Sequence, residues 1–203
     1  MRQQARGDET HEHILQAAEE CFAQHGYEAT GVAEICQQAN LSKGAFYHHF
    51  PSKQAVFLTL LNRWLAGLDE DLAAARAGAA TVPEQLQRMA QVAGQVFQAG
   101  RGRLPLFLEF WTQAAHDPAI WEATIEPYRR YCRFFSAMIE TGVNEGSLQP
   151  VEPGLGARIF LSLGLGLVLQ GLLDPQGANW GEVVQEGVRI LLRGFGYKVV
   201  SGR

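Results

Sequence analysis

The chain has 203 residues, of which 47% are apolar and 19% are charged. These proportions exclude an intrinsically disordered chain, and the length is sufficient to bury a hydrophobic core. Lys and Arg number 17 against 21 Asp and Glu, so the net charge of −4 excludes the overall basic character that marks many nucleic-acid-binding proteins.

Helical periodicity extends along almost the whole chain, and no segment shows the alternation of a β-strand. Four residues stand where a side-chain oxygen would cap the first turn of a helix: Thr10, Thr30, Ser42 and Ser52. The predicted helices span about 11–25, 31–38, 42–48, 52–72, 83–99, 104–115, 118–142, 153–173 and 180–194. The sequence therefore predicts an all-α protein, with a three-helix domain over residues 1–55 and a larger helical domain over residues 56–203.

Residues 31–48 are predicted to form two short helices joined by a tight turn at Asn40, the arrangement of a helix-turn-helix. Asn tolerates the left-handed backbone conformation that such a turn often requires. In the second helix Lys43 supplies a cation and Gly44 leaves the backbone uncovered, so this helix could approach DNA closely. The local pattern alone fits a helical hairpin with a solvated face equally well.

A longer ordered set of residues favours the DNA-binding interpretation. Its members are Ile14-Leu15, Ala17-Ala18, Phe22, Gly26-Tyr27, Thr30, Val32, Ile35, Ala39, Leu41-Ser42-Lys43-Gly44, Phe46-Tyr47-His48-His49-Phe50 and Ser52-Lys53. Through them, residues 13–57 resemble the N-terminal DNA-binding domain of TetR-family transcriptional regulators. Such an ordered set is far more specific than any single motif.

The resemblance implies contacts with double-stranded DNA. Thr30 is expected to contact phosphate at the start of the second helix, and Lys53 at the start of the fourth. The recognition helix would face the major groove, where Tyr47 and the histidine after it would contact phosphates and base edges. Phe46 and Phe50, one helical turn apart, are expected in the core. The full set of expected DNA-binding residues is Thr30, Ser42, Lys43, Gly44, Ala45, Tyr47, His48 and Lys53.

The charge of the N-terminal domain restricts how it could bind DNA. Residues 1–55 contain four Lys or Arg residues and seven Asp or Glu residues. Few phosphates would be neutralised, so we expect weak non-specific binding with a shallow salt dependence. Useful affinity then requires a homodimer on an inverted-repeat operator. As a hypothesis, Arg2 and Arg6 add an arm that enters the minor groove.

The segment 153–173 is apolar on nearly all sides, but its uncharged run is too short to favour a membrane span. Small and large apolar residues repeat at heptad spacing along it and along the last predicted helix: Ala157, Leu161, Gly164, Val168, Gly171, Val184, Val188 and Leu191. This seam is either the centre of the chain's own bundle or a homodimer interface. We expect the interface, because the chain is too small to surround every apolar face of both helices. Dimerisation there is also what the resemblance implies.

The middle helices are rich in aromatic residues. Such stripes are usually core, but the resemblance implies an effector pocket among these helices, and their density fits a small hydrophobic effector of aromatic or acyl type. The expected lining is Phe107, Trp111, Trp121, Tyr128, Tyr131, Phe135, Met138 and Gln170, with Glu109 and His116 as further polar candidates. A run of arginines at 129, 130 and 133 is either a solvated face or a site for an anionic ligand group.

No motif of an enzyme accompanies these features. The sequence lacks HExxH, GxSxG and a P-loop, and three separated cysteines predict neither a disulfide framework nor a zinc site, so we expect no metal, cofactor or catalytic residue. Free cysteines and a polar start are typical of a cytoplasmic protein. We therefore expect a ligand-responsive repressor that binds a palindromic operator as a dimer. The alternative is a helical protein that binds a small molecule or a partner without operator-specific DNA binding.

Overall fold

A computed structural model describes the backbone of residues 2–99 and 104–196 and the side chains of residues 7–94 and 108–196. Within that part the predicted all-α fold is confirmed, with no strand among the described residues. The helices are α1 (Arg2–His25), α2 (Val32–Gln38), α3 (Lys43–His49), α4 (Lys53–Arg76), α5 (Val82–Ala99), α6 (Leu104–Ala114), α7 (Pro118–Asn144), α8 (Pro153–Leu173) and α9 (Trp180–Gly194).

Two of the four predicted helix caps are wrong. Helix α1 begins at Arg2, so Thr10 lies inside it and is not its N-cap. Helix α2 has Gly31 as its N-cap, without a side-chain hydrogen bond. Thr30 does not cap α2 because its hydroxyl donates instead to backbone carbonyls at the end of α1 and just beyond it.

The other two caps are confirmed. The Oγ atom of Ser42 accepts the backbone N–H of Ala45, at 3.1 Å. The Oγ atom of Ser52 accepts the N–H of Ala55, also at 3.1 Å. Each bond satisfies one of the N–H groups that the first turn of a helix leaves without a helical partner. Both therefore fix where α3 and α4 begin.

Contacts group the chain into two compact units. Unit 1 comprises Met1–Gly67 and Pro105–Thr124, and unit 2 comprises Leu68–Leu104 and Ile125–Arg203. Unit 1 therefore contains α1 to α3, the first part of α4, nearly all of α6 and the start of α7. Unit 2 contains α5, α8 and α9 with the remaining parts of α4 and α7.

The core of unit 1 is aromatic. The ring of Phe57 is fully buried and has its centroid 5.6 Å from Phe22, 4.3 Å from Tyr27 and 4.1 Å from Phe110. Since Phe110 comes from α6 and Phe22 from α1, Phe57 of α4 packs directly against both of these helices and against the connection that follows α1. Aromatic contacts at these distances add to the free energy gained by burial alone.

The core of unit 2 lies among α5, α7, α8 and α9. Its fully buried members include Leu86, Ile139, Ala157 and Leu192. Helices α5 and α9 approach closely where two glycines meet, because a Cβ atom on Gly94 would lie only 3.3 Å from the Cα atom of Gly181. Without side chains at this point the two backbones can pack directly against each other.

Candidate functional site

The connection between α2 and α3 has the geometry of a helix-turn-helix. Asn40 takes the left-handed conformation predicted for it, with φ +52°. The N–H of Leu41 donates to the carbonyl of Cys36 at 2.8 Å, which closes the end of α2. On the inner side, Ile35 of α2 and Phe46 of α3 are fully buried. The turn and the two inward side chains together fix α3 on α2.

The outer face of α3 is polar and accessible. Lys43, Gly44 and His48 are exposed, and 54% of Tyr47 is exposed. Ser42 just before the helix is exposed too, whereas Ala45 is half-buried. A cation, a phenol and an imidazole on one short helix can reach phosphate oxygens and base edges.

The inner face of α3 confirms the other part of the prediction. Phe46 is fully buried and Phe50 is 4% exposed, as expected for core residues. The ring of Phe50 stacks on His11 of α1 with centroids 4.6 Å apart. Helix α3 therefore divides cleanly into a buried aromatic side and an exposed polar side.

Thr30 is placed differently from the expectation. Its side chain is 1% exposed, and its hydroxyl donates to the carbonyl of Gly26 at 2.8 Å and to that of Cys21 at 3.2 Å. The side chain is therefore turned into unit 1 and does not offer its hydroxyl to a phosphate. Its structural role is to hold the start of α2 against the end of α1.

Lys53 is also used inside the unit. Its Nζ atom donates to the carbonyl of Tyr27 at 2.6 Å and to that of Thr30 at 3.0 Å, and it lies 4.1 Å from the centre of the Tyr27 ring. These bonds leave one N–H of the ammonium group for the expected phosphate contact. Sequence reasoning missed this internal role, because nothing in the pattern shows which carbonyls a lysine will reach.

Three histidines lie close together beside α3. The ring of His49 has its centroid 5.1 Å from His48 and 6.2 Å from His11. Burial, and then the positive charge that these two neighbours can carry, lower the pKa of His49 below its usual value. The lowered pKa favours the neutral form of His49, and Lys43 is the lysine on the exposed face of α3.

The expected effector residues are distributed over both units. In unit 1, Trp111 is 41% exposed and Trp121 is 49% exposed. In unit 2, Phe135 and Met138 belong to the core cluster, which agrees with the alternative that aromatic stripes are core. Tyr128 and Tyr131 of unit 2 are half-buried and Gln170 is exposed, while the side chain of Phe107 lies outside the described residues, as do those of Arg2 and Arg6.

The two further polar candidates are in unit 1. The Oε1 atom of Glu109 accepts the backbone N–H of Tyr27 and the side-chain amide of Gln113, both at 3.3 Å. Gln113 is buried, with 8% of its surface exposed. His116 is exposed at the end of α6. Both of these hydrogen bonds of Glu109 are therefore made with residues of unit 1.

Two arginines of the run on α7 pair with nearby carboxylates. Arg130 lies 2.8 Å from Asp69, whose other oxygen accepts the hydroxyl of Tyr131 at 2.7 Å. Burial, and then this hydrogen bond, raise the pKa of Tyr131. Arg133 pairs with Glu126 at 2.7 Å, and both are exposed. These pairs agree with the solvated-face interpretation.

The predicted seam of α8 and α9 lies partly inside unit 2. Ala157, Gly171, Val184 and Val188 are buried in its own core, so these four are already covered by the same chain. The other four are half-buried: Leu161, Gly164, Val168 and Leu191. A partner molecule bound to α8 would therefore contact more exposed residues of the helix before it contacted these eight.

A different stripe of α8 is exposed. Leu155, Ile159, Leu169 and Leu173 are 40–77% exposed and recur at heptad-like spacing, and Ile190 of α9 is 60% exposed. Among the described residues α8 is long and apolar enough to cross a membrane, by length and composition only. Only 22% of its apolar window is buried within the chain. Such a stripe is typical of a surface that another molecule covers.

The part of the chain with described residues contains no group of three or more His, Cys, Asp or Glu side chains that could hold a metal ion. All three cysteines are free thiols. Burial is the largest cause that raises the pKa of the Cys21 and Cys36 thiols, so both favour the neutral, unreactive form.

Comparison with known families matches both parts of the chain. Residues 14–60 match the model described as "Bacterial regulatory proteins, tetR family". Residues 83–193, more than half of the chain, match the model described as "BetI-type transcriptional repressor, C-terminal". Between them the two matches cover the helix-turn-helix and most of the larger helical region.

Individual proteins that are similar to this chain are also described as regulators. The chain is 22% identical over 198 residues to the HTH-type transcriptional regulator UidR of Escherichia coli K12, covering 95% of each protein. A protein of Saccharomonospora viridis solved in complex with choline shares the fold, with TM-score 0.81, 23% identity and coverage of 92% of this chain and 96% of that one. The fatty acid degradation regulator FadR of Bacillus halodurans is similar, with TM-score 0.81, 18% identity and coverage of 93% and 97%.

Proposed function

The chain belongs to the TetR family of bacterial regulatory proteins, a family of helix-turn-helix transcriptional regulators, and from this we propose that it is a homodimeric cytoplasmic repressor. It binds a palindromic operator, and a small hydrophobic effector releases it. Residues 1–55 carry the DNA-binding domain, and residues 56–203 carry effector binding and dimerisation.

The observation that carries this proposal is the exposed polar face of α3. Lys43, Tyr47 and His48 project from a helix whose other side is fixed by buried Phe46. A short helix held in this way can enter the major groove with its first residues. Ser42, Gly44 and Ala45 lie at its start, where the backbone comes nearest to DNA.

Each residue of this face has a proposed role. Lys43 reaches guanine O6 or N7, or an adjacent phosphate, and Tyr47 and His48 contact phosphates and base edges. Lys53 keeps a phosphate contact only by its remaining N–H, because two are engaged with backbone carbonyls. The Thr30 side chain is left out of the contact set, because its hydroxyl is buried and already bonded.

Dimerisation is supported by two features. The first is charge, since residues 1–55 contain few cations and one half-site alone would bind weakly. The second is the exposed aliphatic stripe of α8 with Ile190 of α9. A second copy of the chain is the proposed molecule that covers this stripe. The interface would then also include the half-buried seam residues Leu161, Val168 and Leu191. A two-fold dimer then requires an operator with two-fold symmetry.

The effector is proposed to bind among the aromatic side chains of the larger domain. A protein of the same fold has been solved with choline, so a small organic molecule is a fitting ligand class. Aromatic faces bind both apolar groups and quaternary ammonium groups. The accessible candidates in unit 2 are Tyr128, Tyr131 and Gln170, whereas Phe135 and Met138 would have to be uncovered first.

The test is selection of bound duplexes from fragmented DNA of the source genome, at low and moderate salt. Recovery of one inverted-repeat sequence is the expected result. If protein verified as a folded dimer enriches no duplex, the selection is repeated after denaturing, stripping and refolding, which removes a co-purified effector. Failure of that second selection would overturn the repressor proposal and leave a helical ligand-binding or partner-binding protein without operator-specific DNA binding.

A further inference from the structure

We propose that Glu109 on α6 is a positioning residue for operator binding. Its carboxylate holds the backbone of Tyr27, in the connection between α1 and α2, and thereby sets the position of the helix-turn-helix. The inference rests on the proposed operator binding. It adds a residue that lies outside α1 to α4 and whose carboxylate bonds to Tyr27 and Gln113.

The backbone of Tyr27 is bonded on both sides to side chains from other helices. Its N–H donates to Oε1 of Glu109 at 3.3 Å, across 82 positions of sequence. Its carbonyl accepts Nζ of Lys53 at 2.6 Å. Tyr27 belongs to no helix, so these side chains supply partners that secondary structure does not. Glu109 therefore holds the backbone N–H of Tyr27, and Lys53 holds its carbonyl.

Packing strengthens the same connection. The Tyr27 side chain is 8% exposed, and its ring lies 4.3 Å from Phe57. Phe57 in turn lies 4.1 Å from Phe110, the residue after Glu109 on α6. Helix α6 thus supports Tyr27 by a polar contact and, one residue further, by an aromatic one. Such a combination restrains both the position and the direction of the connection.

The connection leads directly to the DNA-binding helices. Four residues after Tyr27, Gly31 is the N-cap of α2, and α2 carries α3 through the turn at Asn40. A shift at Tyr27 is therefore passed to α3 with little intervening chain. Binding constellations lose function when their supports move by about 0.5 Å, because contacts with base edges are directional.

The direction of the change in DNA affinity distinguishes a positioning role of Glu109 from a simple effect of its charge. A carboxylate near DNA repels phosphate, so removal of its charge alone would strengthen DNA binding. Loss of a positioning contact would weaken binding to the operator while leaving non-specific binding equal or stronger. Glu109→Gln removes the same charge but keeps an amide oxygen that can accept the N–H of Tyr27.

The experiment compares three full-length variants on the selected operator duplex and on a scrambled duplex. Glu109→Ala is expected to bind the operator about tenfold more weakly, on the scale of one hydrogen bond whose backbone donor is left without its partner, and the scrambled duplex no more weakly. Glu109→Gln is expected to restore operator binding to within about twofold of wild type. Glu122→Ala is the matched control, because Glu122 is an exposed carboxylate in the same unit.

Hydrogen exchange of the peptide around Tyr27 supplies the direct readout. Glu109→Ala is expected to exchange faster there, and Glu109→Gln and Glu122→Ala are expected to match wild type. Unchanged operator binding by Glu109→Ala, or equal losses in the Ala and Gln variants, would overturn the inference. A wild-type protein that selects no duplex would instead contradict the proposed function, so the two failures are distinguishable.

Discussion

The two units expose different kinds of large apolar side chain. Among the residues of unit 1 whose side chains the structure describes, the exposed ones are Tyr47, Trp111 and Trp121, which are aromatic and carry a polar group. Among those of unit 2 they are aliphatic, as in Leu173 and Ile190. An aromatic ring with a polar edge can face a polar partner or water, whereas an aliphatic chain gains only by leaving water. The difference agrees with polar recognition by unit 1 and with the proposed association of unit 2 with another protein surface.

Both units contain exposed ion pairs and side-chain bonds to backbone groups. Arg63 pairs with Glu12 in unit 1, and the carboxylate of Glu145 accepts the backbone N–H of Val82 in unit 2. In unit 1, bonds of the second kind fix the connection between α1 and α2, through the side chains of Lys53, Thr30 and Glu109. Such bonds fix the conformation of a connection, whereas surface ion pairs contribute little to stability. In unit 1 the connection that they fix is the one that leads to the helix-turn-helix.

The largest expected effect comes from the aromatic core of unit 1. Phe57→Ala removes the ring that joins Phe22, Tyr27 and Phe110, and truncation of a fully buried Phe costs about 3–5 kcal/mol. Urea denaturation followed by circular dichroism would measure the loss. Tyr47→Ala, on the exposed face of α3, is the matched control and should change stability by less than about 0.5 kcal/mol. Equal losses in the two variants would contradict the described core.

A second change tests the aliphatic stripe of unit 2. Leu169→Asp combined with Leu173→Asp would place two charges in a proposed dimer interface, and we expect dissociation to become at least about 100-fold easier. Sedimentation at several concentrations measures this. The control, Gln24→Asp with Gln16→Asp, adds the same charge on exposed positions of α1. A dimer that survives the α8 variant unchanged would place the interface elsewhere.

A third change tests the polar face of unit 1. Lys43→Ala should weaken operator binding by about 1–3 kcal/mol, because it removes the fixed cation of α3. If Lys43 contacts phosphate, the slope of log affinity against log salt should also decrease by about 1. Titration of a labelled duplex at several salt concentrations gives both quantities. A variant with wild-type affinity and slope would remove Lys43 from the interface.

The smallest expected effect is in unit 2, at Tyr131. Its pKa is raised above the ordinary 10, so its contribution to stability is complete below pH 10 and is lost as the pH rises above that value. Tyr131→Phe loses the hydrogen bond to Asp69, which should lower the free energy of unfolding by about 1 kcal/mol near pH 7. Between pH 9 and 11 the stability of this variant should decrease less than that of wild type. Urea titrations across this pH range measure both effects. An unchanged alkaline slope would show that other groups dominate it.

Much of the fold could be predicted from periodicity and capping residues. The helices α8 and α9 have the predicted bounds, and Ser42, Ser52, Asn40 and Phe46 occupy the predicted positions. Thr30 is not a cap, because its hydroxyl donates to the carbonyl of Cys21 in α1 and to that of Gly26 just after it. Competition between local and distant partners cannot be read from a local pattern.

The sequence could not show which stripe of α8 is exposed. The predicted seam through Ala157 and Gly171 and the exposed stripe through Leu155 and Leu169 both repeat at heptad-like spacing. Because α8 is apolar nearly all round, periodicity does not say which face the chain's own core will cover. Only the packing of α5, α7 and α9 decides this. The internal roles of Lys53 and Glu109 were unpredictable for a similar reason, since they depend on contacts between distant segments.

The most direct test of the central claim is hydroxyl-radical footprinting of the selected duplex with wild type and with Lys43→Ala/Tyr47→Ala. The account predicts two symmetric protected regions centred about one helical turn or a multiple of it apart, as expected for two recognition helices in a dimer. It also predicts that protection is lost in the double variant while the protein remains a folded dimer. Protection that persists unchanged in that variant would show that another surface binds the DNA.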